Sequence, residues 1–143
     1  MKIKKVVYGV VFHSGFVLLL LRIDQNNPKI HEKWELPGGG VEENESLEDA
    51  VLRETHEETG LVVKISKKFS YTIFKTYEDE QYQFIYFVCS PTQNTLSAPQ
   101  ITLSDTEHSE AKWVEVGSAS KLENLKPNLV DFFSSVEFLR YSI

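Results

Sequence analysis

Cysteine is almost absent from this chain. Cys89 is the only one in 143 residues, so no disulfide can form within it. It lies inside an apolar run and reads as a small buried residue; a catalytic thiol would want a His or a helix N-terminus nearby, and the sequence suggests neither. Long apolar runs are missing too: no segment reaches the roughly 20 residues of a membrane-spanning helix. The basic start MKIKK leads into an apolar stretch broken by Tyr8 and Gly9, with no small-residue cleavage site after it. Positive charge never gathers into a block. No basic run exceeds Lys4-Lys5 or Lys67-Lys68, and the formal net charge is −6. Nonspecific binding to a nucleic acid polymer or an anionic membrane is therefore not expected. Internal repeats and low-complexity tracts are not seen. These absences lead to the expectation of one cytoplasmic domain over residues 1–143, a monomer or homodimer, long enough to bury a sizeable core.

Glutamate, by contrast, is concentrated in one place. Residues 34–61 read WELPGGGVEENESLEDAVLRETHEETGL. Ser46 is a good helix N-cap, and Asp49 three residues on makes an acidic variant of the capping box. Glu48 and Asp49 occupy the first turn, where the helix dipole favours negative charge, and Gly60 is a natural C-terminal stop. The spacing predicts a helix over 47–59. At about 100° per residue, Leu47, Ala50 and Val51 share one face, the core stripe of an amphipathic helix. Continued towards the C-terminus, that stripe meets Glu54, Glu57 and Glu58 within an arc of roughly 120°, before Leu61 resumes it. A solvated face would mix signs and pair Glu with Lys four residues apart; Glu54 and Glu58 hold that spacing with like charge. Carboxylates held together need a cation, a shared proton or an arginine. Arg53 supplies part of that. A hard divalent ion taking oxygen ligands, Mg²⁺ or Mn²⁺, supplies the rest.

Gly39, Glu45 and the run Arg53-Glu54-Thr55-His56-Glu57-Glu58-Thr59-Gly60-Leu61 resemble the Nudix box of the Nudix hydrolase family, spacing included. Every charged and glycine position of that motif is filled. Thr55 stands where the family usually has an aliphatic residue; its volume is close to that of Val, so a packing variation is expected. Trp34-Glu35-Leu36-Pro37-Gly38 is similar to the family's lead-in. The resemblance implies an α/β/α sandwich with the box as a loop–helix–loop. It implies a nucleotide substrate, a nucleoside diphosphate linked to a further group, hydrolysed at a phosphoanhydride bond with Mg²⁺ (or Mn²⁺). A nucleoside triphosphate or related nucleotide is the first expectation. A dinucleoside polyphosphate hydrolase, or a non-catalytic module on the same fold, is the alternative.

Carried to matching positions, the resemblance makes Glu54, Glu57 and Glu58 metal ligands, with the Gly38 carbonyl as a fourth. Glu57 or an acid in the 107–110 segment acts as general base; Glu107 is the first candidate there and Glu110 the second. Arg53 orients a box carboxylate by bidentate hydrogen bonds, while Glu45 and Gly39 shape the loop. Asn128 resembles the base-reading Asn of purine nucleoside triphosphate members. Tyr77 lies close to where dinucleoside polyphosphate hydrolases place a tyrosine.

Elsewhere the patterning predicts strands over 5–12, 16–23, 33–36, 61–65, 69–77, 81–90 and 112–116, the first two pairing as a hairpin. Residues 24–33 and 91–105 read as loops, the second long for a small domain. A short helix is expected over 118–122. Pro127 opens a final helix to about Arg140, with Leu129, Phe132, Phe133, Val136 and Leu139 as its apolar stripe. The sum is an α/β fold, a mixed sheet covered by helices on both faces. His13, His31 and His56 are expected at the surface.

Overall fold

The computed structural model describes residues 2–93, 95–103 and 106–142; Asn94, Ser104 and Asp105 of the loop expected over 91–105 lie outside the described residues. In chain order the elements are β1 (Ile3–His13), β2 (Phe16–Arg22), β3 (Trp34–Glu35), β4 (Gly38–Gly40), α1 (Leu47–Thr59), β5 (Val63–Tyr77), β6 (Glu80–Pro91), β7 (His108–Glu115), α2 (Val130–Phe133) and α3 (Val136–Leu139). Two 3₁₀ turns, Val116–Lys121 and Pro127–Leu129, stand between β7 and α2.

Everything is arranged about β1. It runs parallel to β6 from Ile3 to Val11, and antiparallel to the short β4 at Val6–Tyr8 on its other side. The expected hairpin exists only at its rim: β1 and β2 pair at Phe12↔Val17 and His13↔Phe16. Ser14 and Gly15, both with positive φ, turn the chain there. Beyond the turn, β2 pairs instead with β7 and β3, giving the order β3-β2-β1-β6-β5. The strands expected over 61–65 and 69–77 are one long strand, β5, bent by register shifts at Ile65/Lys67 and Lys68/Thr72. The carboxylate of Glu137 takes up donors freed at that bend, accepting from the N–H groups of Ser70 and Tyr71.

Alternation along β1 serves two cores, one on each face of the sheet. Val7 and Val11 join Leu18, Leu20, Ile85 and Phe87 under Ala50 and Val51 of α1. Tyr8, Val10 and Phe12 join Tyr86 and Val88 under Leu129, Phe132, Phe133 and Phe138. This is a mixed sheet between two helical layers. Cys89 is buried on the α1 side, and burial pushes its thiol up to about 12. His56 is exposed; His13 and His31 are half-buried, His13 donating to the Thr95 carbonyl and His31 accepting from the Asp24 N–H.

The C-terminal layer differs from the single helix expected. It breaks into α2 and α3 at Ser134-Ser135. The Ser135 hydroxyl donates to the Phe132 carbonyl and accepts from the Phe138 N–H, so it closes one helix and caps the next. The short helix expected over 118–122 is the 3₁₀ turn that begins two residues earlier.

α1 has the bounds its caps predict. Ser46 accepts from the Asp49 N–H, and Gly60 closes the helix in the left-handed region at φ 74°. The helix lies very close to β1 at Gly9, where a Cβ would fall 2.7 Å from the Thr55 hydroxyl. That hydroxyl is buried and has no hydrogen-bond partner among the described residues. Thr55→Val replaces it with a methyl group of similar size. The substitution is expected to stabilise the fold by about 1 kcal/mol. Thermal melting should show a rise of about 2–4 °C; an unchanged or lower midpoint would mean the hydroxyl is satisfied in solution.

Candidate active site

The carboxylates of α1 meet the Gly38–Gly40 loop and the start of β7. Glu58 is buried, and its Oε1 accepts the Gly38 N–H at 2.8 Å. Gly38 and Gly39 have to be glycines for different reasons. A Cβ on Gly38 would sit 2.1 Å from the Val7 carbonyl oxygen; one on Gly39 would meet the Glu54 carboxylate at 2.7–2.8 Å. Gly40 faces open space. The three acids expected to face inward are graded in depth. Glu58 is buried, the Glu54 side chain is 17% exposed and that of Glu57 is 56% exposed.

Arg53 ties the loop to the helix. Its Nε and Nη2 fork onto Glu45 at 2.7 and 3.0 Å, its Nη1 reaches Glu54 at 2.9 Å and Glu57 at 3.3 Å, and its Nη2 also donates to the Gly40 carbonyl at 3.3 Å. The bidentate grip is therefore on the loop acid Glu45. The bond from Arg53 holds the Glu45 carboxyl down at about 2.

β7 starts four residues before the expected strand, and its pairing with β2 shifts between Leu21 and Arg22. That shift sets Arg22 beside His108 and brings Glu107 to the cluster. Glu58, Glu107 and His108 each offer a ligand atom, all within 4.8 Å of one another. Glu110 lies opposite Leu21, exposed.

Beneath this cluster is a buried charge network that the sequence reading passed over. The Glu35 side chain, 5% exposed, accepts from His108 Nε2 at 2.7 Å, Arg22 Nη1 at 3.2 Å and Lys126 Nζ at 3.3 Å. Lys126 also donates to the Tyr8 hydroxyl at 3.2 Å. Burial alone would raise the Glu35 carboxyl, but the His108 bond, Lys126 and Arg22 outweigh it and hold it at about 2. One signal was available: Glu35 is a charge set between Trp34 and Leu36 in a strand. Its three partners come from distant segments and carry no mark in the sequence.

Glu58 goes the other way. Burial, with Glu54 and Glu35 adding to it, pushes the carboxyl up to about 8, although the Gly38 N–H and His108 pull it down. Glu54 is raised by burial and by Glu57 and Glu107, against the pull of Arg53. Without a cation Glu58 therefore holds its proton at neutral pH in the folded chain and loses it in the unfolded one. Its contribution to stability is complete below pH 4.5 and lost as the pH rises through 8. We expect the melting temperature in EDTA to fall from pH 5 to 8.5, by the equivalent of about 3 kcal/mol. A divalent cation should flatten that slope, and Glu58→Gln should abolish it. A slope that survives Glu58→Gln would place its origin elsewhere.

Asn128 joins the Tyr8–Lys126 end of the Glu35 network, and Tyr77 belongs to the β5–β6 hairpin. The Asn128 amide lies beside the Tyr8 hydroxyl, shut off from solvent, with no hydrogen bond of full geometry on either atom among the described residues. Tyr77 is at the tip of the β5–β6 hairpin, 46% exposed, edge-on to Tyr82 at 5.7 Å.

The sequence model of the NUDIX domain matches residues 3–136. The chain belongs to the Nudix hydrolase family, and it is a hydrolase of the pyrophosphatase kind. It is 30% identical over 139 residues, 93% of this chain and 88% of the other, to a Bacillus subtilis (strain 168) protein with the provisional name 8-oxo-dGTP diphosphatase. It is 29% identical to the nucleoside triphosphatase NudI of Salmonella agona (strain SL483), covering 80% of this chain and 84% of that one. Among solved structures, the MutT protein from Methanosarcina mazei Go1 superposes with a TM-score of 0.77 at 29% identity, over 96% and 94% of the two chains. Members of the family act on nucleotides and generally use a divalent metal. The residues present fit one. Oxygen donors predominate, with Glu58 and Glu107 within 4.8 Å of each other, and burial raises the Glu58 carboxyl, a cost that a cation would offset. No helix among the described residues is long and apolar enough to cross a membrane.

Proposed function

We propose that this chain is a Mg²⁺- (or Mn²⁺-) dependent pyrophosphohydrolase. Its substrate is a nucleoside diphosphate linked to a further group, first of all a nucleoside triphosphate or related nucleotide. One observation carries the reading: buried Glu58 lies within 4.8 Å of Glu107 and on the same helix as Glu54 and Glu57, so that four carboxylates share two arginines, Arg53 and Arg22. Glu54, Glu57 and Glu58, with Gly38 at the loop, would hold the ion, and Glu107 comes within reach from β7. Bound there, a divalent ion supplies charge screening, a more acidic water and a grip on the leaving phosphate.

The chain's own groups do the rest. Glu57, the most exposed of the three acids, accepts the proton of the attacking water; Glu107 is the alternative base. Arg53 fixes Glu54 and Glu57 against the loop. Asn128 contacts the base only if the turn at Pro127–Leu129 gives way on binding, since its amide is closed to solvent. Tyr77 contributes from the hairpin tip. The test is hydrolysis of a nucleotide panel with Mg²⁺ and with EDTA. Metal-dependent release of a nucleoside monophosphate or diphosphate from at least one member is expected. No turnover across a broad panel would remove the enzymatic reading. A dinucleoside polyphosphate is the second substrate reading, favoured by the exposed Tyr77 at the hairpin tip.

A further inference from the structure

β3 is two residues long, and one of them is the buried carboxylate of Glu35. Glu35 stands opposite Leu20 of β2, which belongs to the α1-side core. Directly paired residues share a face, so Glu35 points to the side that carries Glu58, and Arg22, two residues beyond Leu20, points there too. On the other edge of β2 the ladder to β7 runs Leu20↔Ala111, Leu21↔Glu110 and then Arg22↔His108, with Ser109 passed over. Without that bulge Arg22 would face Ser109, and His108 would turn to the opposite face. The bulge thus delivers His108 to Glu35 and leaves Glu107, the adjoining residue, at the carboxylate cluster. The Ile23 N–H donates to the Glu107 carbonyl at 2.7 Å and fixes the backbone there.

The Glu107 side chain needs a hold of its own, because it is 52% exposed. Arg22 supplies one. Its Nη1 lies 3.2 Å from Glu35 Oε2 and 3.6 Å from Glu107 Oε2, so one guanidinium spans the two acids. The same Glu35 oxygen accepts from His108, which has a ring nitrogen within 4.8 Å of both Glu58 and Glu107. Lys126 occupies Oε1. With both oxygens engaged and the side chain 5% exposed, Glu35 acts through its partners and not on a substrate. We propose that Glu35 is a positioning residue of the hydrolytic site: by holding Arg22 and His108 it keeps the Glu107 carboxylate against Glu58, where the two acids can share a divalent ion. This rests on the hydrolase reading and deepens it, since it makes a buried residue outside the box part of the ion's support.

A double-mutant cycle of Glu35→Gln and Glu107→Gln tests the proposal. The first readout is Mn²⁺ alone, its free concentration followed by electron paramagnetic resonance without nucleotide. Glu35→Gln should weaken Mn²⁺ binding about tenfold, and Glu107→Gln at least as much. In the Glu107→Gln chain, adding Glu35→Gln should cost less than about threefold more, because residues that act as a unit are not additive. The second readout is nucleotide hydrolysis, where kcat should show the same pattern, falling about 10–100-fold in Glu35→Gln with KM within about twofold. Losses that multiply would overturn the proposal, since a general effect on folding does not depend on Glu107. So would unchanged Mn²⁺ affinity in either single variant. A changed preference between ATP and GTP in Glu35→Gln would place Glu35 on the base and overturn it as well. Should Glu35→Gln not melt cooperatively, Arg22→Lys takes its place in the cycle: it keeps the charge but loses the planar fork that spans the two acids, and the same outcomes decide. Absence of all nucleotide turnover falls on the hydrolase reading, and the Mn²⁺ cycle still decides the role of Glu35.

Discussion

Glu57→Gln lowers kcat for nucleotide hydrolysis by about a thousandfold and leaves the fold in place. The loss follows from chemistry: an amide cannot take the proton of the attacking water, a contribution of about 10²–10⁴ in rate, and it is a poor ligand for a hard ion. The intact fold follows from position. Glu57 is more than half exposed, and its bond to Arg53 is an i,i+4 ion pair of about 0.3–0.5 kcal/mol. Rate measured against Mg²⁺ concentration separates the two roles. If Glu57 mainly holds metal, high Mg²⁺ restores most of the rate; if it is the base, saturating Mg²⁺ leaves kcat low. Full activity in the variant would remove Glu57 from the machinery and leave Glu107 as the base.

Gly38→Ala is expected to be the most damaging small substitution in the loop. Its methyl carbon would be 2.1 Å from the Val7 carbonyl oxygen and 2.9 Å from the Tyr8 Cα. Backbone cannot yield as a side chain does, so β4 must leave β1. A cost above about 3 kcal/mol is expected in a fold whose whole stability is about 5–15 kcal/mol. Glu58 then loses its N–H partner as well. Neighbouring glycines provide the scale. Gly39→Ala strikes only the Glu54 carboxylate, so melting should change little while activity falls. Gly40→Ala meets open space and should be close to neutral in both. Melting curves and kcat for the three alanine variants check the order. A Gly38→Ala protein as stable as Gly40→Ala would show that the close approach is relieved in solution.

How far these features can be read in the sequence depends on how local their causes are. α1 is legible to the residue because Ser46, the acidic first turn and Gly60 act within a few positions of the ends they define. Its acids are legible because helical geometry fixes their face. β1 was recognisable as a strand, but its long parallel pairing with β6 joins residues about eighty positions apart and leaves no local trace. The final helix failed for an opposite reason. Its apolar stripe suited one continuous helix, yet Ser135 satisfies the backbone better by ending one helix and starting another, and Val136 is left 72% exposed. At the site, the acids of the box could be found and the Glu35 network could not. A buried carboxylate is tolerable only with its partners, and these come from β2, β7 and the segment before Pro127.

Glu107 owes its place to the register of β7 on β2, and the long connection before it packs Ile101 and Leu103 against the α1-side core and is tethered by Thr102 N–H to the Thr59 carbonyl, Trp113 Nε1 to the Pro99 carbonyl and His13 to the Thr95 carbonyl. Between the last two anchors stands Leu96, fully exposed. The span from Thr95 to Pro99 is thus a port for grafting. Because closure entropy grows only slowly with length, a peptide tag or small domain can be spliced there while the reacting groups keep their spacing.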